Sequence, residues 1–99
     1  MAERPTSWSF EWDPEKAKEN FAKHGVSFSE ATDVFSDDYA WTIEEQYVGN
    51  EYRYRIIGMG RRRVLCVIYT YRGASTIRII AAWPASARNA REYAQRRPY

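Results

Sequence analysis

The sequence contains one cysteine and one histidine among 99 residues, and both shortages exclude classes of site. A single thiol cannot form an intramolecular disulfide, and Cys66 lies within an apolar run, so we expect a small buried side chain. One histidine and one cysteine, with no CxxC or HxxxH spacing, predict no metal site. There is no glycine-rich phosphate loop and no G-x-S-x-G elbow, so we expect no cofactor and no hydrolytic triad.

Long hydrophobic runs are also absent. The longest apolar stretches, 64–71 and 77–84, are too short to cross a bilayer as helices. Residues 1–5 lack the apolar segment of a secretory signal peptide. We therefore expect a soluble cytoplasmic protein with no membrane partner.

The composition predicts one folded domain. Hydrophobic residues make up 44% of the chain and aromatic residues 16%, enough for a compact core and too much for a disordered chain. The length leaves no room for two cores, so residues 1–99 are expected to form a single domain. Residues 1–9 are expected to be a weakly ordered lead-in.

The small net charge of +2 hides a strong asymmetry along the chain. Residues 1–45 carry eleven acids and four bases, whereas residues 46–99 carry two acids and eleven bases, all of them arginine. The planar guanidinium group suits phosphate, so the second half favours a nucleic-acid partner. The alternative is that these arginines only solvate the outer faces of strands and a helix.

Two helices are predicted in the first third of the chain. Asp13 is expected to cap the first helix with Pro14 at its first position, and Gly25 ends it in a left-handed conformation. The segment 27–30, Ser-Phe-Ser-Glu, is a capping box that begins a second helix. Its apolar face comprises Phe28, Ala31, Val34 and Phe35.

The rest of the chain alternates with period two and then returns to a helical pattern. The strands are expected at 39–45, 51–59, 62–72 and 75–82, and the closing helix at 86–97. Residues 64–68 are apolar on both faces, which predicts a central strand covered on both sides. The predicted fold is α+β, with two N-terminal helices, a four-stranded antiparallel sheet that can include a fifth edge strand, and a C-terminal helix.

The remaining polar residues suit metal-free cleavage of RNA, in which a 2′-hydroxyl attacks its own phosphate. This chemistry needs a base, cations for the charge on the phosphorane and an acid for the leaving oxygen. Arg53, Arg72 and Arg78 lie on three successive strands, where they could share one face of the sheet. His24 suits proton transfer near neutral pH, although its place at a helix end also suits a cap. Tyrosines such as Tyr69, Tyr71 and Tyr93 could stack on bases or donate a proton, or they could belong to the core.

Four stretches of the sequence resemble the BrnT family (the DUF497 domain). The first is W-D-x-x-K-x-x-x-N-x-x-K-H-G-V-x-F, from Trp12 to Phe28. The second places Arg53 five residues before Gly58. The third, 67–72, is similar to a V-V-x-T-x-R strand, and the fourth is 77–80, followed by the terminal helix with Tyr93. Together these stretches span residues 10–95.

The resemblance implies a RelE-like fold and a ribonuclease toxin of a type II toxin–antitoxin system. It also implies an RNA substrate and a BrnA-like antitoxin with a ribbon-helix-helix domain, through which operator DNA is contacted indirectly. We expect Arg53, Arg72 and Arg78 to be catalytic, with His24 or Lys23 as proton carrier or RNA clamp. The expected RNA-binding residues are Arg55, Arg88, Arg91, Tyr69 and Trp83.

The sequence departs from the family after Ile80. The family's S-A-R-K-A is replaced here by Ala-Ala-Trp-Pro-Ala at 81–85, so an Arg and a Lys are lost at Trp83 and Pro84. Arg88 or Arg91 could compensate, and Trp83 could stack on a base. An alternative hypothesis is therefore a weak or inactive enzyme that serves as an antitoxin-binding module and co-repressor through operator DNA.

Overall fold

The computed structural model describes residues 7–97 and confirms the α+β class. Residues 1–6 of the expected lead-in lie outside the described residues, and Ser9, its last residue, already belongs to a strand. The elements in chain order are β1 (Ser9–Glu11), α1 (Pro14–His24), α2 (Phe28–Ala31), a 3₁₀ helix (Thr32–Ser36), β2 (Trp41–Val48), β3 (Glu51–Met59), β4 (Val64–Arg72), β5 (Thr76–Pro84) and α3 (Ala87–Arg96).

The sheet has five strands in the order β1-β5-β4-β3-β2. The four strands predicted from the sequence, β2 to β5, pair with one another in antiparallel, as expected. The fifth edge strand is β1, which pairs with β5 in parallel, so the complete sheet is mixed. A short hairpin would force two strands to pair in antiparallel. The connection from β1 to β5 contains all the intervening elements, so it permits parallel pairing.

The start and end of α1 follow the sequence signals. The Asp13 carboxylate accepts a hydrogen bond from the Glu15 N–H at 2.9 Å, and Pro14 is the first helical residue. Gly25 has φ +70° and donates its N–H to the Phe21 carbonyl at 2.8 Å. These contacts satisfy backbone groups that a helix end leaves unpaired.

The second predicted helix is shorter than expected. Ser27 caps it through the Glu30 N–H, but the α-helical part ends at Ala31 and continues as the 3₁₀ helix. The strand bounds also shift: β2 begins two residues later than predicted and extends to Val48, and β5 extends through Pro84. Pro84 lies at the end of its strand, where the lack of an N–H costs little.

The central position predicted for β4 is confirmed, because both of its faces are covered. Leu65 and Val67 pack under α2 and the 3₁₀ helix, with Phe28 and Val34 among the fully or nearly fully buried neighbours. On the opposite face, Cys66 packs with Ile57 and with Tyr93 of α3. Burial raises the pKa of the Cys66 thiol to about 11, so it is an unreactive core side chain at neutral pH.

Asn20 joins α1 to the edge of β5 beyond the end of β1. Its amide nitrogen donates to the carbonyls of Ala82 and Val26 at 2.8 and 3.0 Å, and its oxygen accepts the Ala82 N–H at 3.1 Å. The side chain therefore pairs with Ala82 as a neighbouring strand would. This clamp positions α1 along the free edge of the sheet.

Among residues 7–97, no helix has the length and apolar character needed to cross a membrane.

Candidate functional site

The sheet face opposite α2 carries four arginines, and we call it the arginine face. Arg53 and Arg55 are on β3, Arg72 is on β4 and Arg78 is on β5. They share a face because side chains alternate along a strand and the strand register aligns these positions. In this register Arg78 lies beside Glu11 of β1.

Three of these arginines and two glutamates form a continuous chain of ion pairs. The Glu51 carboxylate lies 3.1 Å from Nε of Arg53 and 3.4 Å from a terminal nitrogen of Arg72. Glu11 lies 2.6 Å from Nη1 of Arg78 and 4.0 Å from Nε of Arg72. Arg72 therefore lies between Glu11 and Glu51, and the ion pairs connect side chains from four strands.

A depression of about 190 Å³ opens beside this chain of ion pairs. Four cations and two carboxylates lie in its wall, so its charge is positive and suits an anionic ligand. The arginine side chains remain a third to a half exposed, which leaves guanidinium donors accessible from solvent. The lining residues are Asp13, Lys16, Glu51, Arg53, Arg72, Arg78, Ile79 and Ile80.

A second cluster surrounds Trp83 toward the other end of β5. The His24 and Trp83 rings are 5.7 Å apart, and the Arg55 guanidinium carbon lies 5.5 Å from the Trp83 centroid. Arg55 also reaches Glu44 at 3.5 Å, while its buried Nε has no hydrogen-bond partner among the described residues. The structure therefore places His24 and Arg55 beside Trp83, one of the positions at which the sequence departs from the BrnT pattern that it resembles.

The two clusters are separated along the arginine face. Arg78 pairs with Thr70 of β4, whereas Trp83 pairs with Cys66. Four residues of strand correspond to a separation of about 13 Å. His24 and Lys23 are not among the residues that line the depression.

The other predicted site residues lie elsewhere. Tyr69 is 3% exposed and packs against Phe35 in the core under the helices, so its ring offers no surface to a base. Arg88 is exposed and pairs with Glu92 within α3, and Arg91 and Lys23 are also exposed. The structure does not bring Arg88, Arg91 or Tyr69 to the depression.

The surroundings of Tyr93 indicate a structural role. Its ring is buried against Ile57 and Cys66, and its hydroxyl donates to Oδ2 of Asp37 at 2.6 Å. Burial and the bond to this carboxylate raise the pKa of Tyr93 to about 12. A proton held this firmly is poorly suited to donation at neutral pH.

Sequence reasoning missed Glu11, Glu51 and Lys16 as members of the site. Glu51 carried a signal, because it is one of only two acids in the arginine-rich half and lies two residues before Arg53. Lys16 belongs to the W-D-x-x-K stretch, but nothing in the sequence places its helix beside the strands that carry Arg72 and Arg78. Glu11 can be identified as a neighbour of Arg78 only from the parallel pairing of β1 with β5.

Comparison with known proteins identifies the family. The family described as "Ribonuclease toxin, BrnT, of type II toxin-antitoxin system" matches residues 12–92. The fold is similar to the 1.1 Å crystal structure of the Brucella abortus ribonuclease toxin BrnT, with a TM-score of 0.65 and 24% identity. That match covers 81% of this chain and 99% of the Brucella chain. No curated protein matches the sequence significantly. Since the family match spans most of the chain, this protein belongs to the BrnT family of ribonuclease toxins of type II toxin–antitoxin systems.

Proposed function

We propose that this chain is a metal-independent endoribonuclease toxin that cleaves cellular RNA in the cytoplasm and thereby inhibits translation and growth. The family membership supports the reaction class. The observation that carries the proposal for this chain is the convergence of Arg53, Arg72 and Arg78 on one positively charged depression. These three arginines bind the scissile phosphate in the proposed enzyme.

The arrangement suits a transition state that gains negative charge. When the 2′-oxygen attacks phosphorus, charge increases on the non-bridging oxygens, and guanidinium donors fixed on three strands stabilise it without large rearrangement. Arginine offers paired N–H donors, whereas lysine offers a single point of charge. Arg→Lys substitutions should therefore not restore the rate.

The Trp83 cluster is proposed to bind RNA on either side of the cleaved bond. Trp83 is partly buried with Arg55 and His24 against its ring, and its exposed part is proposed to stack on a base. Because the cluster is displaced from the depression, His24 fits an RNA clamp better than a proton carrier. Lys23, Arg88 and Arg91 are proposed as exposed contacts to the RNA backbone.

The proposed partner is a BrnA-like antitoxin with a ribbon-helix-helix domain that also binds operator DNA. An antitoxin that covers the arginine face blocks access of RNA to the depression. Co-expression with the product of the adjacent gene should yield a stable complex, and RNA cleavage by that complex should be suppressed. A freely active protein that its host tolerates without any neighbouring partner would contradict this assignment.

The catalytic proposal is tested by measuring RNA cleavage in the presence of EDTA. Arg53→Ala, Arg72→Ala and Arg78→Ala should each lower the cleavage rate ~10²–10³-fold, the usual effect of losing one transition-state donor. Arg61→Ala is the matched control, because Arg61 is 59% exposed and pairs with Asp33. Cleavage that persists in all three alanine variants would disprove this active-site placement, and cleavage that requires added Mg²⁺ would disprove metal independence.

The loss of the family's Arg and Lys at Trp83 and Pro84 supports an alternative role, in which the chain is a weak enzyme and a co-repressor. The same experiment separates the two roles. A wild-type chain that binds its antitoxin and shifts the affinity of the complex for operator DNA, yet leaves RNA intact, would support the co-repressor role over the nuclease.

A further inference from the structure

We propose that Glu51 is the general base of the reaction and takes the proton from the attacking 2′-hydroxyl. This inference rests on the proposed nuclease function. It assigns the base to a carboxylate within the chain of ion pairs, and not to His24. Glu51 thereby becomes a catalytic residue that also orients Arg53 and Arg72.

The position of Glu51 supports this role. Its side chain is 24% exposed and lines the depression, so one carboxylate can meet both its arginine partners and a ligand in the depression. The charged groups around it are Arg53 on its own strand, Arg72 on β4 and Arg78 on β5, with Lys16 of α1 and the N-cap residue Asp13. A phosphate held by the three arginines would therefore lie next to this carboxylate.

Glu11 is the other carboxylate in the chain of ion pairs, and it lies on the outer side of the arginines. It also pairs with two of the arginines, but it does not line the depression among the described residues. Its shortest contact, 2.6 Å, is to Arg78. We expect Glu11 to hold arginine side chains in place from the outer side.

Substrate binding would also leave Glu51 free to contact the attacking hydroxyl. In the free protein its carboxylate oxygens are compensated by Arg53 and Arg72. A phosphate that enters the depression competes for the same guanidinium donors. Where the phosphate takes up part of these donors, an oxygen of Glu51 becomes available to accept a hydrogen bond from the 2′-hydroxyl.

The proposed step balances within the site. The 2′-oxygen gives its proton to Glu51 and forms a bond to phosphorus, while the bond from phosphorus to the 5′-oxygen breaks. The departing 5′-oxygen takes a proton from the ammonium group of Lys16, which lines the same depression. The products are a 2′,3′-cyclic phosphate and a 5′-hydroxyl, and solvent then restores both protein protonation states.

The test compares the full-length wild type with Glu51→Gln, using single-stranded RNA that contains the mapped cleavage position. Removing a general base typically lowers the rate ~10²–10⁴-fold. The variant should lose the acid limb of the pH–rate profile. It should also bind an RNA with a 2′-deoxy nucleotide at that position at least as tightly as the wild type, since one negative charge is gone. Retained binding shows that the loss of rate does not come from misfolding.

Two further variants, Glu11→Gln and Lys16→Ala, test the roles of the neighbouring groups. Glu11→Gln should keep the acid limb and lose less than about tenfold in rate, since it leaves the base in place. A substrate with sulfur in place of the leaving 5′-oxygen needs no protonation of the leaving group. It should restore cleavage by Lys16→Ala but not by Glu51→Gln.

The outcomes separate this inference from the function on which it rests. If the wild type does not cleave RNA, the proposed function fails and the inference fails with it. If the wild type cleaves, and Glu51→Gln cleaves at a similar rate with the same pH profile, only the assignment of Glu51 is overturned. A rate lost together with affinity for the 2′-deoxy RNA would also overturn it, because Glu51 would then only support the binding site.

Discussion

The Tyr93 hydroxyl donates a 2.6 Å hydrogen bond to Oδ2 of Asp37, and this contact fastens the C-terminal helix to the loop before β2. The same carboxylate oxygen accepts the Met59 N–H at 2.8 Å, and Oδ1 accepts the Tyr39 N–H at 3.0 Å. Asp37 therefore joins α3, the end of β3 and its own loop. Gly58 makes this approach possible, because a Cβ at that position would lie 2.7 Å from Cβ of Ala40.

Tyr93→Phe should destabilise the fold by about 1.5–3 kcal/mol, since it removes a hydrogen bond to a carboxylate but keeps the buried ring. Urea denaturation of the two proteins at pH 7 measures the difference. Tyr52→Phe, at a side chain that is 53% exposed, is the matched control and should behave like the wild type. Equal stability of Tyr93→Phe and wild type would show that α3 does not depend on this bond.

The contribution of Asp37 should depend on pH in the acid range. Burial alone raises the pKa of Asp37, but the bonds from Met59, Tyr93 and Tyr39 outweigh it, and the net pKa lies below the model-compound value of 3.8. A folded-state pKa below the unfolded value means that the stabilisation is complete well above pH 3.8 and is lost as the pH falls through the lower folded pKa.

The free energy of unfolding of wild type and Asp37→Asn between pH 6 and pH 2.5 tests this linkage. The advantage of the wild type should shrink toward acid pH. Asp38→Asn, next to it on an exposed side chain, should show a much weaker dependence. An advantage that stayed constant with pH would mean that Asp37 is not held ionised by its partners.

Asn20→Ala should be among the more damaging single substitutions in α1. It leaves the Ala82 N–H and the Val26 carbonyl without their partners in a buried setting, and each unsatisfied group costs about 1–3 kcal/mol. The effect is measured as the difference in melting temperature between Asn20→Ala and Glu19→Ala, a variant of an exposed neighbour on the same helix. Similar melting temperatures for both variants would show that the clamp contributes little.

RNA affinity should fall steeply with salt. Each phosphate contact to single-stranded RNA contributes about −0.7 to the slope of log K against log salt. Arg78→Ala should flatten the slope by about that amount, whereas Arg61→Ala should leave it unchanged. The measurement is RNA binding between 50 and 200 mM salt. A flat salt dependence of the wild type would indicate that the arginines are only solvated surface residues.

The Trp83 cluster should affect binding more than chemistry. Stacking of one base on an aromatic ring contributes ~1–3 kcal/mol, so Trp83→Ala should raise KM about tenfold or more with little change in kcat. Trp83→Phe keeps an aromatic surface and should recover part of the affinity. His24→Ala should follow the same pattern more weakly. A large fall in kcat for His24→Ala at normal KM would instead identify it as a proton carrier.

Local sequence signals were sufficient for most of the elements. Asp13, Pro14 and Gly25 determine the ends of α1 because capping and left-handed backbone depend on a few neighbouring residues. The alternating pattern and the apolar run at 64–68 identified the strands and the central position of β4. They also placed Arg53, Arg72 and Arg78 on strands that could share a face.

The parts that depend on distant contacts were decided by the tertiary structure. The parallel pairing of β1 with β5 brings Glu11 to Arg78, and the Asn20 clamp positions α1, with Lys16, at the edge of the arginine face. Tyr69 and Tyr93 carry the same side chain and both are buried, one under the helices and one beneath α3. The environment of each tyrosine depends on which helix covers its face of the sheet. Packing between residues far apart in the chain determines that arrangement.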